Sequence, residues 1–180
     1  MEAVRTPDEI RDVNTRYHDV AASSYDSKWG IDFGEVGQAQ VLGKLRKLLG
    51  SELDRGYGRS LEIGAGTGYF SLNLLKAGVV REATCTDISP GMVSVLGSNA
   101  QRLGLHVRAA RADAESLPFP DASFDVVISN GVIDLVPDKE AVFSEIHRVL
   151  VPGGRIQIAD VTIQNPVSEE GRRNIDLWTG

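Results

Sequence analysis

Apolar positions along the chain alternate between two rhythms. Short strand-like runs occur at Arg59–Ile63, where Leu61 and Ile63 are the apolar members, at Val79–Thr86 and, as a nearly continuous apolar run, at Val126–Ser129. Two more are expected over Leu105–Ala110, weakened by the charge of Arg108, and over Arg155–Ile163. These read as strands of a sheet covered on both faces. Between them the spacing turns helical. Ser71–Ala77 is one such stretch, and Ser89-Pro90 opens a second that runs to Leu103, with Ser89 as cap and Pro90 in the first turn. Pro137-Asp138 opens a third, with Ala141, Val142, Ile146, Val149 and Leu150 on its inner side. Strand and helix in repeated alternation predict an α/β fold, a doubly wound and mostly parallel sheet of about five strands with flanking helices.

The first fifty residues follow the helical period alone. Pro7–Tyr25 places Ile10, Val13, Tyr17, Val20 and Ala21 on one side, and Thr6 with Glu9 three residues on is a helix start signal. Gly30–Gly37 is a loop. Gln38–Leu49 carries a stripe of Val41, Leu42, Leu45, Leu48 and Leu49 and ends at Gly50. The expected organisation is a helical cap over residues 1–50 on an α/β unit over residues 51–180, together forming one structural unit. A last helix is expected over Ser168–Trp178.

Composition narrows the partners. With 180 residues and a net charge of −6, the chain has a core-forming length and no general attraction for phosphate backbones. Nucleic acid is therefore not an expected partner. Cys85 is the single cysteine, so neither a disulfide framework nor a cysteine metal cluster is expected. It sits in a strand-like run and reads as a small buried residue. No signal peptide or membrane span is visible, which makes a cytoplasmic location without membrane contact the default expectation.

The chemistry concentrates at Leu61-Glu62-Ile63-Gly64-Ala65-Gly66-Thr67-Gly68-Tyr69-Phe70, a strand, a glycine turn and the start of a helix. Such a unit can hold a nucleotide-like ligand against the helix N-terminus. The dinucleotide pattern Gly-x-Gly-x-x-Gly would need its third glycine where Tyr69 stands. Asp87 closes the second strand, where a carboxylate can accept hydrogen bonds from a ribose diol. NAD-binding proteins use the same device, so Asp87 by itself does not choose a cofactor.

The pattern Glu-x-Gly-x-Gly-x-Gly resembles the first motif of the class I S-adenosylmethionine-dependent methyltransferases, of the type that serves ubiquinone and menaquinone biosynthesis. The resemblance covers roughly residues 8–180 and implies a Rossmann-like sheet. It places Glu62 near the methionine end of the cofactor, with Gly64, Ala65, Gly66 and Gly68 making room for it. Asp87-Ile88-Ser89-Pro90-Gly91-Met92 is similar to a second motif of the family, which puts Ile88 and Met92 beside the adenosine. Ala112-Asp113-Ala114-Glu115-Ser116-Leu117-Pro118-Phe119 resembles a third. There Asp113 would accept from the adenine amino group and the amide of Ala114 would donate to a ring nitrogen.

Asn130 follows the central apolar run, where the family places the methyl acceptor, and is a candidate for contact with cofactor or substrate. The N-terminal segment Tyr17-His18-Asp19-Val20 to Trp29 is similar to an element that covers the cofactor in small-molecule methyltransferases. It can equally be an amphipathic helix packed through its tyrosines. His18, Tyr17, Tyr25 and Asn130 are the candidate catalytic residues, and none is assignable as the base. His18 can also be an ordinary surface histidine.

Two departures qualify the resemblance. The family sheet has seven strands, the last two forming an antiparallel edge, and only five are read here. The C-terminal edge strands are expected to be missing, and a bare edge would favour association between copies. The stretch Ile128 to Lys139 resembles the arsenite methyltransferases, which bind arsenic through cysteine thiolates. One thiol on another strand cannot build that site. The implied function is S-adenosylmethionine-dependent methyl transfer to a small-molecule acceptor. The alternatives are a cofactor-binding or inactive domain of the same fold, and an NAD-dependent oxidoreductase, which Tyr69 disfavours.

Overall fold

Five parallel strands share one sheet: β1 (Tyr57–Ile63), β2 (Val80–Asp87), β3 (Arg108–Arg111), β4 (Phe124–Asn130) and β5 (Leu150–Ala159). The structure is a computed structural model and describes residues 6–162, 164, 167, 168, 170 and 171. The helices are α1 (Pro7–Ala21), α2 (Tyr25–Trp29), α3 (Glu35–Leu49), α4 (Tyr69–Lys76), α5 (Pro90–Leu103) and α6 (Lys139–Val149). The spatial order is β3-β2-β1-β4-β5. Winding runs outward in both directions from β1, so a crevice opens where β1 and β4 meet, at their C-terminal ends. The register aligns those ends, with Ile63 beside both Thr86 of β2 and Ser129 of β4.

Side chains from the two sheet faces build two cores. Ala83, Cys85, Val126 and Ile128 pack with Val41 and Leu45 of α3 and Leu74 of α4. Leu61, Ile63 and Val127 pack with Val142, Ile146 and Val149 of α6. Cys85 is fully buried, and burial pushes its thiol up to about 12, as befits a small core residue rather than a nucleophile.

The helix starts are formed as their sequences predict. Thr6 and Glu9 exchange bonds between side chain and backbone in a capping box, and Ser89 and Asp138 accept from the amides of Met92 and Ala141.

Some boundaries and side-chain placements differ from the sequence reading. The first helix ends at Ala21, passes through a tight turn at Ala22–Ser24 and resumes as α2, which sets the buried Ala22 against α5. Val20 on α1 and Leu48 on α3, both expected inside, are 83% and 65% exposed. On α1 the inward face is instead partly polar, with Ile10 and Asn14 buried. Finally, β5 begins at Leu150, ahead of the Pro152-Gly153-Gly154 segment, rather than at Arg155. Its ladder jumps from Phe124–Leu150 to Val126–Arg155, and the residues between are looped out. Pro152 has no N–H to donate, and Gly153 turns at φ +77°. Ile163, the expected end of that strand, and most of the helix expected over Ser168–Trp178 lie outside the described residues.

Arg148 near the end of α6 ties the segment before β4 to that helix. Its guanidinium donates to the carbonyls of Phe119 at 2.6 Å and Leu117 at 2.9 Å, and pairs with Glu145 and Asp121 at 2.7 and 2.9 Å. Replacement by Ala should lower the urea midpoint without changing the slope of the transition. Arg148→Lys should recover only part of that loss, because a single ammonium cannot span four acceptors. A midpoint equal to wild type in Arg148→Ala would show that the clamp adds nothing to the fold.

Candidate functional site

The site starts at the turn between β1 and α4. Gly64 and Gly66 hold φ of +63° and +53°, a region that favours glycine. Their free faces differ. A Cβ on Gly64 would meet the side chain of Val132, whereas a Cβ on Gly66 would meet nothing within 4 Å. Gly64 therefore admits the β4 loop, and Gly66 leaves open space. Gly68 caps α4, and Ala65, buried, donates its amide to the carbonyl of Thr86 at 2.9 Å.

Glu62 lies behind this turn. It is 3% exposed, and its Oε2 accepts from the amide of Ser71 in the first turn of α4 at 2.9 Å. Burial pushes its carboxyl up to about 7, against the opposing donation from Ser71.

Asp87 spans two turns. Oδ2 accepts from the amide of Gly66 and Oδ1 from the amide of Ser89, each at 2.9 Å. It is 8% exposed, and burial, opposed by those two donations, raises its pKa above the usual carboxylate range. Ile88 and Met92 flank it, and Asp113 and Ala114 come alongside because the amide of Ala112 donates to the carbonyl of Asp87 at 3.0 Å. The facing wall is Asn130, Gly131, Val132 and the Leu135–Pro137 segment. Asp160, just past β5, holds that wall by accepting from the amides of Ile133 at 2.8 Å, Val132 at 3.3 Å and Asp134 at 3.4 Å. Burial first, then the hydrogen bond and charge of Asp160, push Asp134 up to about 6.

The N-terminal helices form the roof. Arg11, Asn14 and His18, on one face of α1, line the cleft with Tyr25 of α2. Three polar side chains dock this roof. Arg11 pairs with Asp113 at 2.9 Å and also with Glu115. Asp19 accepts from the Ser89 hydroxyl at 2.5 Å and from the amide of Gly91 at 2.8 Å, which together hold its carboxyl below the usual range. Asp26 accepts from Asn99 of α5 at 3.0 Å. Gly91 is needed for this approach, since a Cβ there would stand 3.0 Å from Asp19 Oδ1 and 3.2 Å from its Cα.

Of the residues singled out in the sequence, Gly64, Gly66, Asp87, Ile88, Met92, Asp113, Ala114, Asn130, His18 and Tyr25 surround this one cleft. Glu62, Ala65 and Gly68 support it from behind, and Tyr17 stands outside the lining, edge-on to His18 with ring centroids 5.1 Å apart. Sequence reasoning missed Arg11, Asn14 and the Val132–Pro137 wall. The spacing of Arg11, Asn14 and His18 carried a signal, but a polar stripe on an amphipathic helix ordinarily faces solvent. Among the described residues no group of three or more His, Cys, Asp or Glu could hold a metal, and no helix is long and apolar enough to cross a membrane.

A doubly wound sheet with a glycine turn and two acids at its switch point defines a nucleotide-type binding domain. The family described as "Methyltransferase domain" matches residues 61–158, and the chain belongs to it. Members of this family generally depend on S-adenosylmethionine. Demethylmenaquinone methyltransferase of Thermus thermophilus is 34% identical over 115 residues, 64% of this chain and 52% of that protein. Arsenite methyltransferase of Halobacterium salinarum is 29% identical over an alignment covering 100% of this chain and 54% of that protein. Among solved structures, the [4+2]-cyclase SpnF superposes with a TM-score of 0.67 at 26% identity, covering 83% of this chain and 59% of that one. The chain thus spans about half the length of the curated relatives it matches.

The buried Glu62 makes stability depend on pH. Its carboxyl titrates near 4.5 when unfolded and about 7 when folded, so the folded state holds a proton that the unfolded chain releases. This contribution is complete below pH 4.5 and is lost as pH rises through 7. The shift corresponds to about 3 kcal/mol. The difference in unfolding free energy between wild type and Glu62→Gln should move by about that amount between pH 4.5 and 8 in urea titrations. A difference independent of pH would refute the burial of an ionisable Glu62.

Proposed function

We propose that the chain binds S-adenosylmethionine in this cleft and transfers its methyl group to a small-molecule acceptor. The observation that carries the reading is the gathering of Gly66, Asp87, Met92 and Asp113 around one cleft at the switch point of the sheet. In this reading Asp87, its oxygens oriented by the amides of Gly66 and Ser89, keeps lone pairs for the ribose diol. Ile88 and Met92 flank the base, Asp113 accepts from its amino group, and the amide of Ala114 donates to the ring. The open face of Gly66 receives the methionine portion, and Glu62 holds the turn that shapes it.

When bound, the cofactor supplies an activated sulfonium methyl, and attack in line with the departing sulfur needs chiefly alignment and exclusion of water. The roof of α1 and α2 provides the exclusion. Among the four candidate catalytic residues, His18 is the best arranged to act as a base. Its Nδ1 lies 2.9 Å from the carbonyl of Asn14, which can only accept, so Nδ1 carries the hydrogen and Nε2 is the basic nitrogen. Tyr25 is held protonated by burial, and Asn130 at the exposed strand end can contact the acceptor. Arsenite is not adopted as the acceptor, because Cys85 is buried in the core away from the cleft.

A second reading, binding without methyl transfer, is favoured by the likeness to a [4+2]-cyclase.

Calorimetric titration separates these readings from a nicotinamide enzyme. Micromolar binding of S-adenosylmethionine and none of NADH is expected, and the reverse would overturn the proposal. Asp87→Ala and Gly66→Val should each weaken binding at least tenfold, about 1.4 kcal/mol or more. Melting of the ligand-free variants distinguishes lost contacts from backbone strain at Gly66. Affinities near wild type in both would remove the cleft from consideration.

A further inference from the structure

The polar stripe that α1 presents to the cleft contains one group whose bonding is incomplete. Asn14 is 6% exposed and lines the cleft between Arg11 and His18. Its Nδ2 donates to the carbonyl of Ile10 at 3.1 Å, which settles which end of the amide is oxygen, since a carbonyl cannot donate. The Oδ1 atom is buried and has no hydrogen-bond partner. A buried acceptor left unpaired is costly, and such a group in a folded protein calls for a specific explanation. Its neighbours on the same face are already engaged, Arg11 with Asp113 and Glu115, and the His18 ring with the Asn14 carbonyl. No donor on this face of α1 bonds to Oδ1, and the side chain borders the open cleft, so a ligand settling there supplies the donor once the amide turns toward it.

Oδ1 can only accept, so that donor is an N–H or O–H. Asn14 stands one helical turn from Arg11, which touches Asp113, the carboxylate assigned above to the adenine amino group. That amino group carries two hydrogens, and Asp113 takes one. We propose that Asn14 Oδ1 accepts the second, so that the exocyclic amine is read from two sides, by Asp113 from below and by Asn14 from the roof. The assignment rests on the cofactor proposed above. It makes α1 a specificity element for the purine as well as a cover. It also links docking of the roof to the presence of a 6-amino purine.

The test uses S-adenosylhomocysteine and its deaminated analogue S-inosylhomocysteine, which presents a carbonyl in place of the amine. Binding to wild type, Asn14→Leu and Asn14→Asp is measured by calorimetry, with thermal melting of each ligand-free protein. Asn14→Leu should bind the adenosyl compound at least tenfold more weakly and the inosyl compound no more weakly than wild type. Asn14→Asp, which keeps an acceptor oxygen, should retain most of the preference for the adenosyl compound. If Asn14→Leu does not fold, Asn14→Ala removes the same oxygen without adding bulk and is read in the same way. Equal losses for both compounds would assign the oxygen to a ribose hydroxyl or to packing, and unchanged affinity for the adenosyl compound would leave it without a ligand. Either result overturns the proposal while the cofactor reading stands. Failure of wild type to bind S-adenosylhomocysteine at all would overturn both.

Discussion

Two buried carboxylates on adjacent strands carry the geometry of the cleft. Glu62 on β1 and Asp87 on β2 lie beside the turns that follow their own strands, and each accepts backbone N–H groups there. Glu62 fixes the start of α4, and Asp87 joins the glycine turn to the start of α5. Donation from backbone amides counters only part of the cost of taking both acids out of water, which is why both carboxyls are held above their usual range. The glycine turn is held from both sides, so the open space at Gly66 is a property of the scaffold rather than of any ligand.

The N-terminal helices extend the same logic. Their docking depends little on apolar area, since Val20 is on the outside and α1 turns a partly polar face inward. It depends on Arg11, Asp19 and Asp26, each bound to an element that also carries a cofactor-binding candidate or leads into one. Gly91 shows how closely the two halves are fitted. In the sequence it looks like part of a ligand motif, yet the group that approaches it is Asp19 of the roof.

Much of the site was legible in the chain. The spacing of Gly64, Gly66 and Gly68, the acid after the second strand and the Ala112–Phe119 stretch lie within single strand–turn–helix units, where neighbours in sequence are neighbours in space. Asn14 and Arg11 were not legible, because their role depends on which face of α1 meets the cleft. Val132 was hidden for a similar reason. Nothing local to it shows that its side chain fills the space beside Gly64.

The sequence by itself determined the strand–helix alternation, the capping of its helices, the glycine turn and the membership of the chain in a methyltransferase family. The first three follow from short-range rules of periodicity, turn stereochemistry and capping, and the last from the likeness of its motifs to that family. Tertiary structure alone decided that Glu62 supports the turn from behind and that Asp160 fastens the far wall. It also decided that a polar stripe on the first helix roofs the cleft rather than forming a solvated face. Each of these depends on contacts between residues far apart in the chain, and a pattern of apolar and polar positions cannot say which distant group a buried polar atom will meet.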